Sequence, residues 1–193
     1  MGCTEIGAIA RRAVLLAGLF FFMLRGSDQP KDPSLLPTGV TTPAPAKSTT
    51  PAGRTPLPGF GETQISVHLP SGQVLQWCVM LASTQSQQER GLMGVTDTTL
   101  GGYDGMLFRF PSAQGSAFYM KNTPMPLSIA FIGEGGALVS ATDMAPCLDR
   151  ADCELYRAAG PYVTALEVPQ GGLPRLGIAA DAQVVDEQQP CTT

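Results

Sequence analysis

The chain of 193 residues, at the usual ~100–200 residues per domain, allows one compact domain with appendages or two very small ones and excludes a large multidomain enzyme. With 44% hydrophobic and 15% charged residues, against a usual charged share of ~25%, it is apolar enough for a real core, which excludes a disordered or coiled-coil chain. Charge is unevenly placed: residues 1–59 hold six Lys/Arg and three Asp/Glu (+3), whereas residues 60–193 hold six and thirteen (−7), a sign that repels phosphate backbones and excludes nucleic acid as an expected partner.

Residues 1–25 combine the Arg11-Arg12 pair, an apolar run from Ala13 to Leu24, and Arg25, the layout of an export segment. Leu24-Arg25-Gly26-Ser27 contains no small-x-small cleavage site, so an uncleaved membrane anchor is expected, with Ile6–Leu24 giving nineteen positions if the two arginines snorkel. Arg-Arg-x-Val-Leu also fits a loose twin-arginine pattern, and Cys3 precedes the apolar run, so no lipobox is present. Residues 26–59 hold eight of the seventeen prolines among Thr, Ser, Ala and Lys. Proline extends such a stretch toward polyproline II, so a disordered linker or stalk is expected there.

Residues 60–193 form the expected folded domain. Gln64–Leu69 alternates Ile65, Val67 and Leu69 with polar residues, Pro70-Ser71-Gly72 turns, and Val74–Ala82 returns as the second strand of a hairpin. Thr84 and Gln87 have capping-box spacing and start a short polar surface helix that ends near Gly91. Further strands are expected at Met106–Phe110, Ala117–Met120, Leu127–Gly133, Ala137–Thr142, Tyr162–Val168 and Gln183–Asp186, with a hairpin turn at Glu134-Gly135-Gly136 and a short helical turn from Gly172 to Gly177. Many short strands and little helix predict a mainly β domain, a small antiparallel β-sandwich or distorted barrel with one or two short helices. No Gly-rich phosphate loop is present, so a Rossmann-type nucleotide fold is disfavoured.

Several blocks in this domain carry a resemblance: Arg90-Gly91-Leu92-Met93; Gly105-Met106-Leu107-Phe108 with Phe110; Phe118-Tyr119-Met120-Lys121-Asn122-Thr123 with Pro126-Leu127 and Ile129; Pro146-Cys147; and Tyr162 with Leu166-Glu167-Val168. In order, over residues 62–187, they closely resemble the bacterial and archaeal family called domain of unknown function 192. The resemblance implies a small β-sandwich-like domain that often follows an export signal, and no established activity. This chain has Tyr119 where the family often has Trp, and Ser128 where it usually has Asp.

The lone histidine, His68, falls in a strand of the first hairpin, so a Ser-His-Asp triad, a Cys-His pair and a multi-histidine metal site are not expected. Lys121-Asn122-Thr123 ends a strand with a cation, an amide and a hydroxyl, while Arg90 and Glu167 are the other polar residues of the matched blocks. Glu167 has apolar neighbours on both strand faces, so burial is expected, with Lys121 or Arg90 as its partner. Arg90, Lys121, Asn122, Thr123 and Glu167 are thus the candidate binding residues, either bracing the fold or lining a pocket. Met80, Met93, Met106, Met120, Met125 and Met144 are expected to fill the core; exposed together, such thioethers could bind Cu(I).

Beyond the apolar run lie Cys78, Cys147, Cys153 and Cys191, an even number that allows three disulfide pairings. The family resemblance implies Cys147 with Cys153, leaving Cys78 and Cys191 to staple the tail to the second strand. Together these features predict an exported, envelope-located, non-catalytic binding or interaction module, tethered to the membrane through its N-terminal segment. It would meet a small molecule or another envelope protein, with no cofactor or metal expected. The alternatives are a hydrolase-like extracytoplasmic enzyme and a Met-based copper-handling protein.

Overall fold

A computed structural model describes residues 53–148 and 150–192. The anchor expected over residues 1–25 and most of the stalk lie outside the described residues, among which no helix is long and apolar enough to cross a membrane.

The first two strands, β1 (Gly61–His68) and β2 (Val74–Ala82), form the expected hairpin, with Ile65 opposite Trp77 and His68 opposite Val74. Helix α1 (Gln85–Arg90) follows, starting at Thr84 by the predicted capping box: the Gln87 N–H donates to Thr84 Oγ1 (3.3 Å), and the Thr84 N–H donates to Gln87 Oε1 (3.0 Å). After a 3-10 turn at Leu100–Gly102 come β3 (Met106–Gln114), β4 (Phe118–Tyr119), β5 (Leu127–Ile132) and β6 (Leu138–Met144). Two-residue β7 (Leu155–Tyr156), which the sequence pattern does not mark, pairs with β4; β8 (Tyr162–Pro169), a 3-10 turn at Pro174–Leu176 and β9 (Gln183–Asp186) complete the chain.

Seven strands make one sheet in the order β6-β5-β8-β3-β2-β1-β9. Every pair is antiparallel except β2 and β3, which run parallel, with Met80 beside Met106. Parallel neighbours need a crossover, and residues 83–105, including α1, supply it. The sheet curls strongly. Strands β3 and β9 are three places apart, about 14 Å if the sheet were flat at ~4.8 Å per strand, yet Arg109 of β3 reaches Asp186 of β9 at 2.5 and 2.8 Å. A single bridge between Ala137 and Gln183 joins the two edges without closing a barrel. There Gly136 holds φ at 84°, and a Cβ at that position would come 2.7 Å from the Val184 carbonyl, so only glycine allows this approach.

Both faces of the sheet are buried, which explains why β5 and β8 read as almost unbroken apolar runs. One face packs Ile65, Val67, Val79, Leu107, Leu166 and Val168 against Leu173, Leu176 and Val184. The other carries Met80, Met106, Phe108, Ile129, Phe131 and Tyr162 and is covered by α1, β4 and the loops. Five of the six domain methionines (Met80, Met106, Met120, Met125, Met144) are buried in this second cluster, the gap-filling role expected of them.

Contacts extend upstream of Phe60: Leu57 packs on the second cluster, and the Thr55 N–H donates to the Gly101 carbonyl (2.7 Å). Cys147 and Cys153 are bonded (Cα–Cα 5.8 Å), as are Cys78 and Cys191 (5.5 Å), so the implied pairings are the ones formed. These separations lie within the range a disulfide requires.

The two bridges close loops of very different length, 113 and 6 residues in sequence separation. On the chain-entropy scale, replacing Cys78 and Cys191 by serine should cost about 5 kcal/mol, and replacing Cys147 and Cys153 about 2 kcal/mol. Denaturant melts of the two double variants test this order, and non-reducing peptide mapping tests the pairings; cross-linked peptides joining Cys78 to Cys147 would refute them.

Candidate functional site

The short helix is fastened at several points. Gln87 Nε2 donates to the Gly59 carbonyl (2.7 Å) and Gln88 Nε2 donates to the Arg109 carbonyl (2.7 Å), so a helix with no buried residue is still fixed over the sheet. At its end Gly91 turns with φ at 46°, where a Cβ would stand 3.3 Å from the Phe108 ring. Helix and sheet touch there and diverge beyond it.

The divergence leaves a cleft of about 210 Å³ between α1 and strands β3, β4 and β8. Phe108, Phe110, Phe118, Tyr119 and Tyr162 form its aromatic wall; Gln85, Gln88, Glu89 and Arg90 line it from the helix; buried Thr123 and Glu167 are also part of its lining. The wall is rigid because its rings brace one another. Phe118 meets Phe108 and Phe131 edge-on, with centroids 5.0 and 5.7 Å apart, and Tyr162 packs against Phe110 at 5.6 Å and Phe131 at 4.9 Å. Such pairs contribute ~0.5–1.5 kcal/mol each beyond their area. The Tyr162 hydroxyl donates to the Ser116 carbonyl (2.7 Å), and burial pushes this phenol up to about 12. Gln114 is part of the same lining, and its Oε1 accepts from the Ser116 N–H (2.7 Å).

Glu167 is the unusual group. It sits opposite Met106 on one side and Ile129 on the other, in a row across the sheet that runs from Glu62 through Met80. Only 5% of the residue is exposed, and its carboxyl has no hydrogen bond or ion pair among the described residues. Burial alone pushes that carboxyl up to about 8, from an ordinary value near 4.5. At neutral pH it is therefore mostly a neutral acid, able to donate one hydrogen bond and to accept others.

The ion pair expected for Glu167 is not formed. Lys121 is exposed and outside the cleft, bridged through its backbone to Cys147. Arg90 lines the cleft, but its Nη1 donates to the Pro58 carbonyl (2.8 Å) and its guanidinium lies 5.1 Å over the Phe60 ring. Asn122 serves a turn: its φ is 55°, its N–H donates to the Cys147 carbonyl, and its carbonyl accepts from the Gly94 N–H. Of the five candidates, the cleft thus gathers Arg90, Thr123 and Glu167. The aromatic wall and Gln114 went unmarked because phenylalanines in strands read first as core. His68 is exposed on β1, as its position in the hairpin implied.

Ser128 meets a carboxylate across the sheet. Ser128 lies opposite Asp143 of β6, its hydroxyl donates to the Asp143 carboxylate, and it accepts from the Gly171 N–H (2.9 Å). Hydrogen bonds from Gln170 and Ser128 lower the Asp143 carboxyl below its ordinary value. Neither residue lines the cleft.

Fold and cleft together define a class: a curled mixed sheet with an acid-lined aromatic cleft under a short capped helix. Residues 67–185 match the family described as uncharacterized ACR, domain of unknown function 192, and the chain belongs to it. A solved structure of a protein of unknown function from Novosphingobium aromaticivorans is 30% identical, with a TM-score of 0.58 over 75% of this chain and 98% of that one. A Sinorhizobium meliloti structure described as a candidate transcription regulator is 25% identical, with a TM-score of 0.56 over 66% of this chain and 95% of the other. No curated protein matches the chain.

The buried acid has a stability signature. The unfolded chain releases the Glu167 proton near 4.5, whereas the folded chain keeps it to about 8. Between these values the folded state binds more protons, so its stability falls as pH rises, by up to ~1.4 kcal/mol per unit. Glu167→Gln should remove that slope. The check is a series of urea melts from pH 5 to 8: the stability of the variant relative to the native protein should climb steadily with pH, and parallel curves would contradict the burial.

Proposed function

We propose that this domain is a non-catalytic binding module that takes a small ligand into the cleft lined by Glu167, carried outside the cytoplasmic membrane on a proline-rich stalk and an N-terminal anchor. The observation that supports binding is a buried carboxyl that lines the cleft beside a braced aromatic wall, with no protein partner among the described residues. Buried polar groups are nearly always hydrogen-bonded, and one that is not, facing a cleft, is a group kept for something that enters. The cleft volume of about 210 Å³ is below the ~300–1,000 Å³ of sites for drug-sized molecules, so the ligand or the part of it that enters is small. Next to the carboxyl the cleft offers no histidine or cysteine, and Thr123 Oγ1 donates to the Lys121 carbonyl (3.4 Å), which favours holding a molecule over attacking it.

The order of arginine pair, apolar run and proline-rich stretch supports this location, and two bonded cysteine pairs suit an oxidising compartment. The −7 charge of residues 60–193 disfavours the nucleic-acid role that the description of the S. meliloti structure would suggest.

Binding is tested by a fragment screen with ligand-observed NMR on the native protein and on Ala117→Trp, which places an indole in the cleft. Fragments should bind the native protein and lose at least tenfold in affinity on the variant; a screen whose every hit survives the substitution would remove the cleft from consideration. For location, fractionated cells should yield the chain in membranes, with the domain cleaved by added protease once any outer layer is opened. Full-length chain in the cytosol would count against the anchor.

A further inference from the structure

We infer that the ligand is an organic ammonium ion, an amine carried on a compact apolar or aromatic group, whose charged head is received by Glu167 and whose body lies against the Phe108, Phe118 and Tyr162 rings. This rests on the reading of the cleft as a ligand site and names what that site takes.

The argument starts from what Glu167 lacks. A carboxylate is ordinarily held in a protein by backbone N–H groups, by a cation or by water. Here β3 and β5 place Met106 and Ile129 beside it, which bring no charge. From β8 and β4 the cleft receives only the phenols Tyr162 and Tyr119, and Thr123 adds a hydroxyl whose proton is directed to the Lys121 carbonyl. Helix α1 contributes Glu89 and Arg90. Among the described residues no cation pairs with Glu167, and the basic group that lines the cleft, Arg90, is engaged by the Pro58 carbonyl and the Phe60 ring. An entering cation would supply the missing partner.

Three further features favour a cation over an anion or a neutral molecule. The aromatic faces attract positive charge through their quadrupoles, more strongly where water is excluded. Residues 60–193 carry −7 overall, a field that draws cations and repels anions, while Glu89 and Arg90 offset each other at the cleft itself. Burial also leaves the empty site neutral near pH 7, since the carboxyl holds its proton to about 8. Binding is then an exchange in which the ammonium enters, Glu167 gives one proton to solvent, and the resulting carboxylate accepts hydrogen bonds from the ammonium N–H groups. Charge and protons balance, and no other reactant is needed.

Benzylamine and its neutral analogue benzyl alcohol are suitable probes, because benzylamine stays protonated from pH 6 to 8. In calorimetric titrations of the native protein, benzylammonium should bind about tenfold tighter for each pH unit from 6 toward 8, as linkage to one released proton requires. Titrations at pH 7 in two buffers of different ionisation enthalpy should report that proton directly. Benzyl alcohol should bind at least tenfold more weakly at pH 8, with no pH dependence. Glu167→Gln should erase the pH dependence and the preference for the amine; the native pH profile carries the test by itself if that variant folds poorly. Equal affinity for alcohol and amine, or amine binding that is flat with pH, would overturn the ammonium assignment and leave the cleft as a ligand site. Absence of benzylammonium binding would overturn it too, and if Ala117→Trp also left every fragment hit untouched, the cleft reading would fall with it.

Discussion

Placing a carboxyl between Met106 and Ile129 takes most of it out of water without giving it a donor among the described residues, and the surrounding structure has to make that position unavoidable. An ionised carboxylate so placed would cost several kcal/mol, which the group avoids by keeping its proton. The side chain cannot swing out to solvent, because β8 lies between β5 and β3 with Leu166 and Val168 locked into the opposite face. A one-residue slip of β8 would exchange Glu167 for Leu166 and drive the carboxyl into the closed cluster. Register, set by apolar burial on both faces, therefore holds the acid where the cleft can reach it.

The two faces divide the work. The cluster around Ile65, Leu107, Leu166 and Leu176 is sealed inside the curl of the sheet, where Arg109 is held by both oxygens of Asp186, which also accepts from Thr63 Oγ1 (2.8 Å). This pair ties β3, β1 and β9 together, and the Cys78–Cys191 bond draws the C-terminal tail onto β2. That bond lies on the Met and Phe face, where the cleft opens beneath a six-residue helix that is attached by its cap, two glutamine side chains and Arg90 and buries nothing of its own.

Much of this was legible. Alternation and turn residues locate eight of the nine strands, and Thr84 with Gln87 marks the helix start, because period, turn chemistry and caps are local properties. The parallel β2–β3 pair was not legible, since its crossover is built from a short helix and turns and gives no long helical pattern. Glu167 stood out because a charge in an apolar strand has few explanations. Its partner was misjudged, because Lys121 is near it in the motif pattern while Asn122, in the left-handed region, turns the backbone toward Cys147 and leaves the lysine in solvent. Sequence order gives no warning of such a turn. The Ser128–Asp143 contact was hidden for a related reason: the carboxylate is on the facing strand, where only the register reveals it.

The choice of glutamate over glutamine at this position has a physical consequence. At neutral pH a protonated carboxyl and an amide are close in size and both donate and accept, so the empty cleft would accommodate either. They differ once a positive group arrives. The amide can offer only its dipole, whereas the acid can release its proton and present a full negative charge in a place where water is scarce and electrostatic attraction is correspondingly strong. A site built on Glu167 is thus neutral when empty, which avoids burying an unpaired charge, and negative when occupied, which gives the cation a counter-ion. The same burial that lifts the carboxyl to about 8 sets the price of that conversion, so affinity at a given pH depends on how dry the row from Met80 to Ile129 remains. Substitutions that admit water there, such as Met106→Ser, would lower the carboxyl toward its ordinary value and weaken the contrast between the empty and the filled cleft.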